Sequence, residues 1–267
     1  MATSRATRIA LRIATALGLG FIYVPLGIIV LYAFSEARAL AWPISGFSLG
    51  WWEKAFADPD ARDALAVSLQ AAAGATAIAL VLGSLAAFAV QRYRFFGRET
   101  ISFVVILPIA LPGIVTGMAF NSTFRTLGMD LSLFTIIVGH ATFCVVIVYN
   151  NVIARLRRTA RSLEEASMDL GADTWQTFRY VTFPVIRTSL LAGALLAFAL
   201  SFDEVIVTTF TTGGDATLPI YILKLLSRDP SPVVNVIAVV VIALSTIPVY
   251  VATRLSADTG ATAGGRA

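Results

Sequence analysis

The sequence predicts an all-α membrane protein with six transmembrane helices and both termini in the cytoplasm. Three observations carry that prediction. The chain of 267 residues is 57% hydrophobic and only 13% charged, too apolar for an ordinary soluble domain of this length. It contains six apolar runs near the roughly 20 residues that a bilayer-spanning helix requires. Its basic residues also alternate between the intervening segments in the manner of the positive-inside rule.

The six runs are Ile13–Phe34, Leu65–Val90, Ile101–Phe124, Leu131–Ile153, Thr188–Phe210 and Val233–Thr253. The first is too long for a removed signal peptide and lacks a small-residue cleavage site, so it is expected to stay as a span. With the N-terminus inside, the inner segments are 1–12, 91–100, 154–187 and the stretch after Thr253. They hold fourteen of the twenty Lys and Arg, among them Arg92, Arg94, Arg98, Arg155, Arg157, Arg158 and Arg161. The net charge of +4 follows from this topology. It does not form the basic patch interleaved with exposed aromatics that nucleic-acid binding uses. Residues 1–254 therefore read as one transmembrane domain with an inner loop at 154–187, and 255–267 as a disordered cytoplasmic tail.

Several functions are excluded early. A single cysteine, Cys144, and a single histidine, His140, leave no disulfide and no Cys/His metal site. No phosphate-binding loop, nucleophile elbow or paired-carboxylate site is present. No catalytic residue, metal site or bound cofactor is expected, so the driving energy must come from a gradient or a partner. Cys144 reads as packing. His140 lies inside the fourth run, where two readings stand: an interhelical hydrogen-bonded residue or a proton relay.

Between the first and second spans, Trp51 and Trp52 in "FSLGWWEKAF" suit an interfacial aromatic anchor or a docking surface for an outside partner. The second run, "SLQAAAGATAIALVLGSLAAFA", is rich in small residues that permit close helix packing. In the third, "LPIALPGIVTG", Pro108, Pro112, Gly113 and Gly117 must loosen the helix. Such breaks are tolerated where protein or a water-filled cavity satisfies the freed backbone, which places Pro112 on a lining surface. No inverted repeat relates the halves, which counts against a secondary-transporter architecture.

The inner loop carries "EEASMDLGADTWQTFRYVTFP", Glu164–Pro184. Ser162 and Glu165 have the spacing of a capping box, predicting a short helix to Leu170 with Gly171 as its left-handed stop. Asp173 and Gln176 form a second such pair, opening a helix that Pro184 should end. Trp175, Phe178 and Val181 recur at helical spacing on one face. Helices this short are marginal alone, so the segment is expected to pack on something: a membrane surface or a partner.

The order Glu165, Ala166, Ser167, Gly171, Val181, Phe183, Pro184 resembles the EAA loop of binding-protein-dependent ABC importer permeases. Ser167 stands where the commonest form has a second alanine. The resemblance implies the type I, MetI-like permease fold and a coupling helix that inserts into a groove on a cytoplasmic ATPase. Glu164, Glu165, Ala166, Gly171 and Ala172 would sit at that contact. The flanking Arg155, Arg157, Arg158 and Arg161 are either membrane-edge anchors or contacts to an acidic ATPase surface. The stretches "GHATFCVVIVYNNVIARLRR", "ALSFDEVIVTTF" and "TLPIYILKLLSRDPSPVVNVIA" are similar to the second membrane subunit of spermidine/putrescine transporters, so the likeness runs from Trp51 through the sixth span. It implies two ATPase subunits that bind ATP and Mg, a second and different permease chain, an external substrate-binding protein and a bacterial plasma membrane.

Asp203 and Glu204 are informative apart from any family. A carboxylate at mid-bilayer costs roughly 2.5–3.5 kcal/mol on insertion scales. At about 1.5 Å per residue from Arg187, Asp203 lies roughly 24 Å along its span, in the outer third of a core about 30 Å thick. One reading makes Asp203 and Glu204, with Ser201 and Pro112, a pathway for a cationic substrate. The other gives the carboxylates a partner arginine or a buried network. Gly113 stands where many relatives carry an acid, which removes one candidate cation ligand. The alternative function is a gradient-driven carrier using Asp203 and His140.

Overall fold

The computed structural model describes residues 4–39, 41–228 and 231–261, and all the regular elements among them are helical. They form two compact units, one from Met1–Arg62 and Ile222–Ala243, the other from Asp63–Tyr221 and Leu244–Ala267.

In the first unit, α1 (Arg5–Ala33) is a continuous apolar helix opened by Ser4, whose hydroxyl accepts the Thr7 N–H at 3.2 Å. A Ser, Thr, Asp or Asn at this position satisfies an amide that the helix itself leaves unpaired. Pro25 lies inside α1 without ending it, and Ala33 is its one buried residue. The short helix α2 (Gly50–Ala57) follows. Its Trp52 packs between Phe34 and Phe56, with ring centroids at 5.2 and 6.2 Å, while Lys54 covers the Trp51 ring at 4.2 Å. At least one of the two tryptophans thus belongs to an internal aromatic stack.

The second unit is organised around α6 (Leu133–Arg157). Its buried residues, from Thr135 to Leu156, occur on more than one side of the helix. The helix α3 (Pro59–Arg92) approaches α6 through its small residues. A Cβ on Gly83 would stand 2.8 Å from the Val145 carbonyl oxygen, so only glycine admits this approach. Ala75, Ala79 and Ala87 lie in the same core. At about 25 cal/mol per Å² each small side chain contributes little; close backbone approach is what these residues provide.

The third run is broken. Helix α4 (Arg98–Ala110) contains Pro108 in its interior, and α5 (Gly113–Thr126) starts after Leu111 and Pro112 with a bend of 103°. The fifth run is broken too: α9 (Phe183–Phe202) stops at Asp203, and α10 (Ile206–Thr211) restarts after Glu204 and Val205. Between α6 and α9 lie α7 (Ser162–Asp169), α8 (Thr174–Thr177) and a π turn at Phe178–Thr182. The chain closes with α11 (Leu218–Arg228) and α12 (Pro232–Ala261).

Among the described residues, four helices are long and apolar enough to cross a membrane: α1, α3, α6 and the stretch Thr174–Phe202; the bent pair α4–α5 supplies a fifth candidate. The apolar part of α12, Pro232–Ile247, is shorter. Helix α12 continues to Ala261, so residues 255–261 are helical where the sequence suggested a disordered tail. Residues 262–267 of that tail lie outside the described residues.

Candidate functional site

The inner loop forms two short helices, and their caps differ from expectation in one respect. Ser162 is the first residue of α7 rather than its cap, because Arg161 already has helical backbone angles (φ −65°, ψ −27°). A capping residue must be non-helical, so Ser162 cannot cap, and Glu165 pairs instead with Arg161 at 3.2 Å. The stop is as expected. Gly171 has φ +90°; its N–H donates to Met168 O at 2.9 Å, and the Ala172 N–H donates to Ser167 O at 3.1 Å, the paired bonds of a Schellman ending. The Asp173–Gln176 box is also present, with reciprocal bonds of 2.8 and 2.9 Å.

Pro184 does not end a helix. The π turn leads directly into α9, with the proline in the first turn of α9 and the Phe183 N–H donating to Phe178 O. A proline lacks an N–H and its ring crowds the carbonyl four residues back. A turn closed at i→i+5 accommodates both effects.

Helix α7 has an inward and an outward face. Glu164 and Ser167, three residues apart, are half-buried, and the Ser167 and Thr177 hydroxyls meet at 3.2 Å. Glu165, Ala166 and Gly171 are exposed, with Leu163, Met168 and Leu170 beside them, whereas Ala172 is half-buried. Leu170 is 90% exposed. Beneath the loop, Phe178 touches Trp175, Phe183 and Phe88 at 5.7, 6.1 and 5.8 Å. Arg155 donates through Nε to Val185 O at 3.0 Å, tying α6 to the start of α9.

The second cluster surrounds the break between α9 and α10. His140 is fully buried on α6, with Nδ1 2.8 Å from Ser201 Oγ and Nε2 2.8 Å from Thr208 Oγ1. Thr208 Oγ1 is also 2.6 Å from Glu204 O. A carbonyl oxygen only accepts, so the Thr208 proton points to Glu204 O and the hydroxyl receives the proton on Nε2. Nδ1 then accepts from Ser201. The assigned chain runs Ser201, His140, Thr208, Glu204 O, and it spans the break.

The Glu204 carboxylate is engaged as well: its Oε1 accepts the Val207 N–H at 2.9 Å in the first turn of α10. Ser201 is 2% exposed. Asp203, at the end of α9, is exposed, and its carboxylate has no hydrogen-bond partner among the described residues.

The two breaks lie together. A Cβ on Gly113 would stand 3.3 Å from Ile206 Cγ2, and one on Gly117 would stand 2.6 Å from the Phe210 ring. Asn121 Nδ2 donates to Phe210 O at 2.6 Å, and Thr135 Oγ1 lies 2.7 Å from Thr211 O. Pro112 therefore adjoins the start of α10. Of the four residues expected on a substrate path, Ser201 and Glu204 hold the break together, Pro112 adjoins it, and Asp203 alone presents an open polar group. The hydrogen bonds across the break were not legible in sequence, because they join residues 61 and 68 positions apart.

Residues 79–259 match the family described as binding-protein-dependent transport system inner membrane component. The putrescine transport system permease protein PotI of Escherichia coli K12 is 32% identical over 90% of this chain and 88% of its own. The spermidine/putrescine permease protein PotC of Haemophilus influenzae Rd is 31% identical over 84% and 88%. Among solved structures, a bacterial ABC transporter that imports the acidic polysaccharide alginate superimposes with a TM-score of 0.70, covering 97% of this chain and 99% of that one at 20% identity.

Proposed function

This chain belongs to the binding-protein-dependent transport system inner membrane component family, and from that we propose that it carries polyamines (putrescine or spermidine) or a related small cation inward, driven by ATP. It is an ABC importer permease of the inner membrane, a multi-pass component that is itself non-catalytic. A gradient-driven carrier with a His140–Asp203 relay is not supported: the ring nitrogens of His140 meet Ser201 and Thr208, not the carboxylate of Asp203.

In this reading six spans cross the membrane, with α12 as the sixth and both termini cytoplasmic. Residues 1–254 act as one permease domain. Two ATPase subunits bind ATP and Mg, a second and different permease chain completes the path, and an external binding protein delivers the cargo. Lipid surrounds the remaining apolar faces.

The observation that carries the reading is α7. It is a short helix with a Schellman ending, held from within by Glu164 and Ser167, and around the rest of its circumference and at its end Leu163, Glu165, Ala166, Met168 and Leu170 are exposed. Exposed apolar surface of this kind marks an interaction site. Glu165, Ala166 and Gly171 line the ATPase contact, with Glu164 and Ala172 at its inner edge. A coupling helix does work only if it contacts two ATPase states differently.

Substitution of Gly171 by leucine tests this. A side chain at φ +90° costs about 1–2 kcal/mol and re-aims the end of α7. Both ATPase co-purification and ATP-dependent putrescine uptake should fall severalfold. Intact uptake with undiminished ATPase association would refute the coupling role of α7.

A further inference from the structure

Arg92, read in the sequence as one of the membrane-edge basic residues, has a specific partner. It occupies the last turn of α3, and its Nη2 lies 2.8 Å from Glu164 Oε1 on α7. Thr182, in the π turn, donates to that same oxygen at 3.0 Å. The Arg92 and Glu164 side chains are only 12% and 15% exposed, and Thr182 is 5% exposed. One turn earlier on α3, Phe88 meets Phe178 of the π turn edge-to-face at 5.8 Å. Two contacts of different chemistry on successive turns fix both the separation and the rotation of α3 relative to the loop. The neighbouring pair Arg161–Glu165 is different: its side chains are 65% and 57% exposed. An exposed pair of that kind contributes little and exchanges partners readily.

We propose that Arg92 is a positioning residue that makes the end of α3, helix α7 and the π turn one moving body, so that motion of the coupling helix enters α3 as well as α9. The inference rests on the importer reading above. An ion pair at 2.8 Å between poorly solvated groups is held by an attraction that water screens little. Separating its partners in a poorly solvated place leaves both charges uncompensated. Sliding α7 past α3 is therefore more costly than moving the two together. Helix α9 receives the displacement through the chain itself, because the π turn is continuous with it. Helix α3 is remote in sequence and receives it through Arg92, Glu164 and Thr182. Without the clamp, a push on α7 would bend the loop and leave α3 behind.

The test needs no cargo. The full complex, with its ATPase and sister permease subunits, is purified with nitroxide labels at Leu85→Cys on α3 and Asp169→Cys on α7, in a Cys144→Ser background. Distances between the labels are measured by electron–electron resonance, nucleotide-free and trapped with vanadate. With Arg92 and Glu164 in place, the distance distribution should be the same in both states. With Arg92→Gln or Glu164→Gln it should broaden or shift on trapping, and the exchange Arg92→Glu with Glu164→Arg should return it to a single distance. A distance that changes on trapping in the unsubstituted clamp would overturn the proposal. So would distributions in the glutamine variants that match the parent, including the case where only the yield of complex falls, which is what a purely structural role would give. Failure of the parent chain to co-purify any ATPase would instead bring down the importer reading, and is seen before any clamp residue is changed.

Discussion

Asp203 and Glu204 are adjacent carboxylates with different circumstances. Glu204 accepts the Val207 N–H and so supports the start of α10, while Asp203 ends α9 exposed and without a hydrogen-bond partner among the described residues. The sequence showed that two acids in an apolar run call for an explanation, but not how the explanation divides. Adjacent residues on a helix point about 100° apart; here α9 ends at Phe202 and α10 begins at Ile206, so both acids lie in the break. Under the proposed function, Asp203 is the carboxylate left open to meet a cation. Asp203→Asn should raise the putrescine concentration for half-maximal uptake about tenfold, equivalent to about 1.4 kcal/mol, with ATPase association unchanged. Unaltered uptake kinetics in a well-expressed variant would remove Asp203 from the path.

At the scale of elements, the breaks in α4–α5 and α9–α10 and the π turn decide the architecture, and each was legible to a different degree. The α4–α5 break was readable because proline and glycine mark it chemically: Pro112 cannot supply an N–H, and Gly113 and Gly117 leave room for Ile206 and Phe210. The α9–α10 break has no such mark, since "SFDEVIVTTF" contains neither residue, and the span was expected to run unbroken to Phe210. Tertiary hydrogen bonds hold it open. His140 is the pin, and His140→Ala would leave the Ser201 hydroxyl without its acceptor and Thr208 without its donor. A buried unsatisfied polar group costs about 1–3 kcal/mol. The thermal midpoint of the purified complex should fall by about 2–4 °C for each kcal/mol lost. His140→Gln, which can donate and accept, should be milder. Equal midpoints for the alanine variant and the parent would show that the break does not depend on His140.

At the scale of the whole molecule, the proposed six spans, taken with the arginines of 1–12, 91–100 and 154–187, put both termini on the cytoplasmic side in this reading. Epitope tags at the two ends should resist protease in spheroplasts and be cut in inverted vesicles; tags exposed on opposite faces would refute six spans. By itself the sequence determined that the protein is helical and membrane-embedded, and through the spacing from Glu165 to Pro184 it pointed to an ATPase-coupling loop. Those properties follow from local composition: hydropathy over about 20 residues, charge at membrane edges, and capping and stop residues at fixed short offsets. Only the tertiary structure decided which face of α7 is free, that Glu164 is turned to Arg92, that Ser201 and Glu204 brace a helix break, and that Asp203 alone stays open. Those outcomes depend on contacts between residues 61, 68 and 72 positions apart in the chain. No local pattern encodes them, because each is settled by which helices can approach closely enough for their polar groups to meet.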